Sequence, residues 1–183
     1  YPMASTGELA AVVDAAEGAA AAFEVDVSDP SAMAGVIAAV TAEHGRLDAV
    51  VCAAGIVAGG TPLWETTDAQ WDAVIATDLT GVFVTVRAAT PTVLASPRGR
   101  VVTVASAAGS LGLRHMGPYA AAKHGVIGLT RSLAADLAGT GVTANVISPG
   151  STATSGLDES ARIYDLASTD DFVRHQEPLG RLI

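Results

Sequence analysis

Short apolar runs alternate with longer segments of helical period along most of this chain, and that alternation leaves few folds open. Residues 22–27, 47–53, 100–106 and 142–148 are Val- and Ala-rich and too short for helices, so they are expected to be strands. Residues 6–18, 30–43, 68–95 and 118–137 carry helical spacing. Strands that are apolar throughout mark a parallel sheet buried by crossover helices. The pattern predicts the α/β class, as a Rossmann-like, doubly wound parallel sheet with helices on both faces. In the helix from residue 30, Asp29 can cap and Pro30 suits the first turn. Met33, Val36, Ile37 and Val40 make one apolar stripe, expected to lie on the sheet. From Gly150 to Pro178 the sequence turns polar, with a short helical stretch near residues 159–166, and is expected to form a substrate loop or lid. With 183 residues, half of them hydrophobic, the chain closes one core, so residues 1–183 are expected to be a single domain.

Charge and composition exclude several roles. A net charge of -9 and a pI near 4.7 repel phosphate backbones and anionic surfaces, so neither nucleic acid nor a membrane is an expected partner. The longest weakly polar stretch noted, residues 49–60, falls short of the roughly 20 apolar residues a spanning helix requires. The start shows no secretory pattern. Cys52 is the one cysteine, set in an apolar run, which suggests a buried thiol and a reducing, cytoplasmic setting. His44, His115, His124 and His175 lack metal-ligand spacing, so no metal is expected. His115 and Met116, with Ile56 and Val57 opposite, are either substrate-facing or ordinary loop residues.

Tyr119 and Lys123 stand four residues apart near the start of a predicted helix, on one face. A phenol with a reference pKa of about 10 exchanges protons poorly at neutral pH, and a neighbouring cation favours its phenolate. That suits Tyr119 to general acid/base work. By itself the spacing is equally that of a surface tyrosine and lysine. The same face continues through Val126, Leu133 and Leu137, which read as core, so the Lys123 charge should lie near an apolar wall. Ser106 ends an expected strand thirteen positions before the tyrosine, where it is either a turn serine or a donor to a substrate carbonyl. The last expected strand ends in Pro149 and Gly150, followed by Ser151, Thr152 and Thr154, which is either an exit turn or a place where a flat ring can lie close to backbone.

In this order the motifs resemble the classical short-chain dehydrogenase/reductase family, from about residue 22 to the last residue: Asp26 and Val27, Ala54 and Gly55, Asp78-Leu79-Thr80-Gly81, Ser106, Tyr119 with Lys123, and Pro149 with Gly150. The resemblance implies an oxidoreductase that moves hydride between NAD, or NADP, and a secondary alcohol or ketone. Tyr119 would exchange the proton, Ser106 would hold and polarise the carbonyl, and Lys123 would bind the nicotinamide ribose while lowering the tyrosine's pKa. Asp26 and Val27 would contact adenine and Ala54 and Gly55 would line the cofactor. Pro149, Gly150, Thr152 and Thr154 would flank the nicotinamide and its phosphate. A homodimer or homotetramer through the helices from residues 68 and 118 is implied as well. The opening residues 1–6 with the helix after them look like the mycofactocin-coupled, carveol-dehydrogenase-like branch, which implies NAD.

The sequence departs from the family in four places. No TGxxxGxG turn, which would hold the pyrophosphate, precedes residue 22, so the first βαβ segment is missing. The final helix and strand expected after Ile183 are not in this sequence either, so it is either a piece of a longer chain, the favoured reading, or a true truncation. Ala53 replaces an asparagine, with loss of a structural hydrogen bond. Asp78 occupies the position of the catalytic asparagine, at the centre of a face made by Trp71, Val74, Ile75 and Val82. It is either a buried carboxylate satisfied by a neighbour or a member of the proton relay, where its charge can pair with Lys123 and weaken that cation's effect on Tyr119. These departures leave open a catalytically impaired, nucleotide-binding scaffold. A sugar epimerase or dehydratase also shares Ser, Tyr and Lys, but the loop after Gly150 is short for its substrate domain.

Overall fold

The computed structural model describes residues 6–152 and 155–175. Three parallel strands, β1 (Ala49–Cys52), β2 (Arg100–Val104) and β3 (Thr143–Ile147), form one sheet in that order. Val101 pairs with Val50 on one side and Ala144 on the other, so β2 is central. Helices α1 (Thr6–Ala15) and α2 (Pro30–His44) precede the sheet. Between β1 and β2 run α3 (Asp68–Ile75), a π-turn (Ala76–Thr80) and α4 (Gly81–Leu94). The helix α5 (Gly117–Asp136) connects β2 to β3, and α6 (Ser155–Ile163) and α7 (Thr169–His175) follow.

Local chemistry explains the helix ends. The Asp29 carboxylate accepts from the Ser31 and Ala32 N–H groups at 2.7 and 3.1 Å, Pro30 opens α2, and Gly45 closes it in the left-handed region at φ 71°. At α3, Thr67 and Gln70 cap each other reciprocally. The α2 stripe is correct in its members, with Met33 buried and Val36, Ile37 and Val40 half-buried. It packs chiefly on α4, not on a strand, and Ile37 reaches the main core.

Strand alternation puts Val50, Cys52, Val101, Thr103, Ala144 and Val146 on one face. Val82, Val86, Ala89 and Val93 of α4 and Val126 and Ile127 of α5 cover that face. Thr103, fully buried, shares a 2.7 Å hydrogen bond with Thr130 of α5, so no polar atom is stranded there. The α/β class and parallel sheet hold as expected. Among the described residues, however, the helices cover one face of the sheet, because successive crossovers advance in one direction. On the other, Val51 is 60% and Ile147 52% exposed.

Residues 22–27 correct an expectation: they form no strand. Alternation of Phe23, Val25 and Val27 with Glu24 and Asp26 favours an extended chain, but a strand needs a partner for its backbone groups, and no described segment pairs with this one. Phe23 and Val25 are exposed. The expected helix 68–95 carries a π-turn at its middle, and the polar segment after Gly150 contains two helices where one short stretch was expected. Among the described residues, the stretch Asp68–Leu94 is long and apolar enough to cross a membrane, longer than the run at residues 49–60 weighed from sequence. Its Val74, Val82, Ala89 and Val93 are buried in the protein interior.

Core and surface positions make a direct contrast. Val101→Ala, at a site with no exposed surface, should lower unfolding free energy by about 2 kcal/mol through lost burial and a residual cavity. Glu43→Ala on α2, where the side chain is 64% exposed, should change it by less than about 0.5 kcal/mol. Urea unfolding of both variants measures the difference.

Candidate active site

The carboxyl ends of parallel strands, where chain reversals leave backbone groups open, are where such a sheet binds ligands. The residues singled out from sequence lie on the segments leaving these ends. After β1, Ala54 and Gly55 are exposed. A Cβ on Gly55 would lie 3.2 Å from Asp78 Oδ2 and 3.4 Å from Lys123 Nζ, so any side chain at this point would crowd both charges. After β2, Ser106 begins a 3₁₀ turn (Ala107–Gly109), and its Oγ accepts from the Ala108 N–H at 3.1 Å. Its hydroxyl hydrogen stays available to a second acceptor. That turn is pressed onto α5 at Gly109, where a Cβ would meet the Lys123 carbonyl oxygen at 2.8 Å. After β3, the Pro149 carbonyl accepts from the Ala107 N–H at 2.8 Å, which ties the Pro149–Gly150 exit to the serine turn.

On α5, Tyr119 is half-buried and Lys123 is 5% exposed. The Lys123 ammonium sits 5.4 Å from the centre of the Tyr119 ring and donates to the Val104 carbonyl at 3.3 Å. It forms an ion pair with Asp78 Oδ2 at 3.2 Å. Asp78 is completely buried and its Oδ1 accepts the Ile56 N–H at 2.7 Å. Its Oδ2 faces the ammonium without a well-directed hydrogen bond among the described residues. The carboxylate thus has a hydrogen bond on Oδ1 and an ion-pair neighbour on Oδ2. The apolar wall expected behind Lys123 is present: Val126 and Leu137 are buried and Leu133 half-buried. Burial raises the Asp78 pKa from the ordinary aspartate range, opposed by the Lys123 charge and the Ile56 N–H.

The expected cofactor residues are distributed around this centre. Val27 packs against Gly81, where a Cβ would meet Val27 Cγ2 at 2.6 Å, so small size at residue 81 admits the neighbouring segment. Asp26 is exposed and accepts from the Ser28 hydroxyl and N–H at 2.7 and 2.8 Å, and these bonds hold its pKa below the ordinary aspartate value. Thr152 is exposed and donates to the Gly150 carbonyl at 3.2 Å. Thr154 lies outside the described residues. The exposed loops at Ala54 and Gly55, the crowding limit at Gly55 and the nearby Lys123 suit a flat dinucleotide laid against backbone.

Sequence reasoning missed contacts made by backbone and by α6 and α7. Gly60 N–H donates to the His115 carbonyl at 2.9 Å, and a Cβ on Gly59 would come within 2.4 Å of the same oxygen. The glycine pair was the visible signal. His115, at φ 57°, stacks on Tyr164 with ring centres 6.2 Å apart, and the Tyr164 hydroxyl donates to the Arg114 carbonyl. Met116 joins Ala161 and Phe172 in a small apolar cluster, with Val57 and Tyr119 against it. Helices α6 and α7 therefore pack beside the tyrosine.

With this geometry in place, comparison gives the family. A model of the short chain dehydrogenase family matches residues 3–163, and the chain belongs to that family. It is 37% identical over 183 residues to an uncharacterized NAD-dependent oxidoreductase of Mycobacterium tuberculosis, covering 98% of this chain and 66% of that one. It is 36% identical over 176 residues to a 2-dehydro-3-deoxy-L-rhamnonate dehydrogenase (NAD(+)) of a Sphingomonas species, covering 96% and 69%. Among solved structures, carveol dehydrogenase from Mycobacterium avium in complex with NAD superposes with a TM-score of 0.88 at 32% identity, covering 97% of this chain and 68% of that one. This chain thus spans about two thirds of the length of these relatives.

The pKa of Asp78 has a consequence for stability. An acid whose folded pKa is raised binds its proton more tightly when folded, so the stability it contributes is present at low pH and lost as pH rises from 3.8 through the raised value. The exposed carboxylates with lowered pKa act in the opposite direction. Subtracting the Asp78→Asn stability profile from that of the unaltered protein should leave a difference that falls with rising pH across that window. Urea unfolding at a series of pH values measures it, and a rising or flat difference would contradict the assignment.

Proposed function

We propose that the protein is an oxidoreductase that transfers hydride between NAD, or NADP, and a secondary alcohol or ketone. The observation that carries this reading is Lys123, buried and 5.4 Å from the Tyr119 ring, at the ends of strands where the loops of Gly55 and Ser106 meet α5. Bound nicotinamide supplies or accepts the hydride. Tyr119 gives a proton to the substrate oxygen in reduction and takes it back in oxidation. Ser106 donates its hydroxyl hydrogen to the same oxygen as charge develops there. Lys123 holds the ribose and sets the field around the phenol. Asp26, Val27, Ala54, Gly55, Pro149, Gly150, Thr152 and Thr154 line the dinucleotide, and Asp78 braces Lys123.

The names of the relatives, an NAD-dependent oxidoreductase and an NAD-bound carveol dehydrogenase, support NAD and the carveol-dehydrogenase-like branch. The substrate lid of this reading is residues 150–178, of which 153–154 and 176–178 lie outside the described residues, and the cluster that joins α6 and α7 to Tyr119 supports it. A homo-oligomer through α4 and α5 is part of it, supported by exposed Phe83 and Leu94 on α4. The Cys52 thiol, pushed up to about 11 by burial, suits a reducing cytoplasm in which it stays unreactive.

The test follows reduced-nicotinamide absorbance while full-length protein is offered a panel of secondary alcohols and ketones. Tyr119→Phe should lower kcat at least about 100-fold and Ser106→Ala by a similar factor, with folding retained. Absence of turnover with every substrate would reject the proposal, as would a Tyr119→Phe variant as active as the parent.

A further inference from the structure

We infer that Asp78 is a positioning residue: its carboxylate neutralises the Lys123 ammonium while holding the backbone at Ile56, and so sets the pH range in which Tyr119 exchanges protons. The inference rests on the proposed reading of the site and concerns what the negative charge adds to it. Asp78 comes from the middle of the π-turn with no exposed surface, and its two oxygens have separate tasks. Oδ1 accepts from Ile56 N–H at 2.7 Å, fixing the loop after β1. Oδ2 lies 3.2 Å from Lys123 Nζ. An amide oxygen can accept from Ile56 equally well, since it has the same size and hybridisation. It cannot supply a counter-ion. With its oxygen on Ile56, an asparagine would turn its amide NH2, a donor, toward the ammonium, so it is the second carboxylate oxygen that receives Lys123 at 3.2 Å as a counter-ion.

That charge acts on Tyr119 through Lys123. The groups packed around the ammonium are Asp78 from the π-turn, the Val104 carbonyl from β2, the backbone at Gly55, and the Tyr119 ring from α5 itself. Of these, Asp78 and Tyr119 are titratable. A cation paired with an anion at 3.2 Å exerts a weaker field on a third group than the same cation alone, and the apolar wall around it does little to screen the difference. The neutralised pair thus gives less support to negative charge on the phenol. Proton removal in alcohol oxidation is displaced to higher pH.

Two measurements on the full-length protein test this. In Asp78→Asn the ascending limb of the kcat/KM profile for alcohol oxidation should move to lower pH by about one unit, a tenfold change in the active fraction at a given pH on that limb. A merely structural role would lower the rate at all pH values and leave the limb in place. The second readout needs no turnover and no Asp78 variant. Carbon-13 carboxyl resonances should show the Asp78 titration rising by at least about one unit when Lys123 is replaced in Lys123→Met, because the cation that favours the carboxylate is gone. An unmoved limb in folded Asp78→Asn overturns the inference. So does an Asp78 titration indifferent to Lys123→Met. If the unaltered protein turns over no substrate, the functional reading fails by that result and the carboxyl titration alone decides the ion pair; the same titration decides it if Asp78→Asn does not fold.

Discussion

A carboxylate with no exposed surface and an ammonium at 5% exposure face each other across 3.2 Å, and the neighbouring structure must keep them there. Taking both charges out of water costs several kcal/mol for each, which Coulomb attraction offsets only when the remaining polar atoms are also satisfied. Three segments share that task. The loop after β1 offers the Ile56 N–H, β2 offers the Val104 carbonyl, and α5 carries the lysine. The strand order brings these segments together, because β1 and β2 are neighbours and α5 leaves β2. Displacing any of them would strand a charge, so the pair constrains the sheet as much as the sheet positions the pair.

The elements legible in the sequence are those decided by local periodicity and capping. α2 runs to within a residue of its expected end because Asp29, Pro30 and the apolar stripe agree, and Gly45 stops it. The strands at residues 47–53, 100–106 and 142–148 were also readable, since each is a short apolar run between helical segments. Residues 22–27, where Phe23, Val25 and Val27 alternate with Glu24 and Asp26, fail as a strand because pairing is non-local: the sequence pattern reports what could pair, not whether a partner is present. The polar α7 was missed although its signal was there. Ser168 accepts from the Asp171 N–H at 3.1 Å and donates to the Asp171 carboxylate at 2.8 Å, and a serine three residues before an acid announces a helix start.

At the candidate site, the charged and hydroxylated side chains were visible and their backbone partners were not. Tyr119 and Lys123 are paired by helical spacing alone, and Asp78 drew attention as an acid on an apolar face. Its carbonyl and amide neighbours belong to Val104 and Ile56, whose side chains say nothing about the hydrogen bonds their backbones make. The π-turn is similarly silent. One extra residue in a helical turn leaves the apolar pattern nearly continuous over Asp68–Leu94, and Asp78, already on the apolar face, is buried within it. Glycines were the readable trace of such backbone contacts, as at Gly55, Gly81 and Gly109, where a Cβ would meet a charged group, a valine or a carbonyl.

These observations separate what geometry fixes at residue 78 from what it leaves open. The π-turn, the Ile56 hydrogen bond and the close approach of Gly55 require a short planar side chain with an acceptor oxygen. Aspartate and asparagine both meet that requirement. The position of Lys123 selects between them, because an amide with its oxygen on Ile56 would aim its NH2 at the ammonium, whereas the carboxylate faces it with Oδ2 at 3.2 Å. The choice is therefore electrostatic. A neutral amide leaves Lys123 with its full field, whereas a carboxylate cancels part of it and adds a buried anion that the lysine must keep ionised. In this chain one side chain therefore meets both demands, the backbone at Ile56 through Oδ1 and the ammonium of Lys123 through Oδ2.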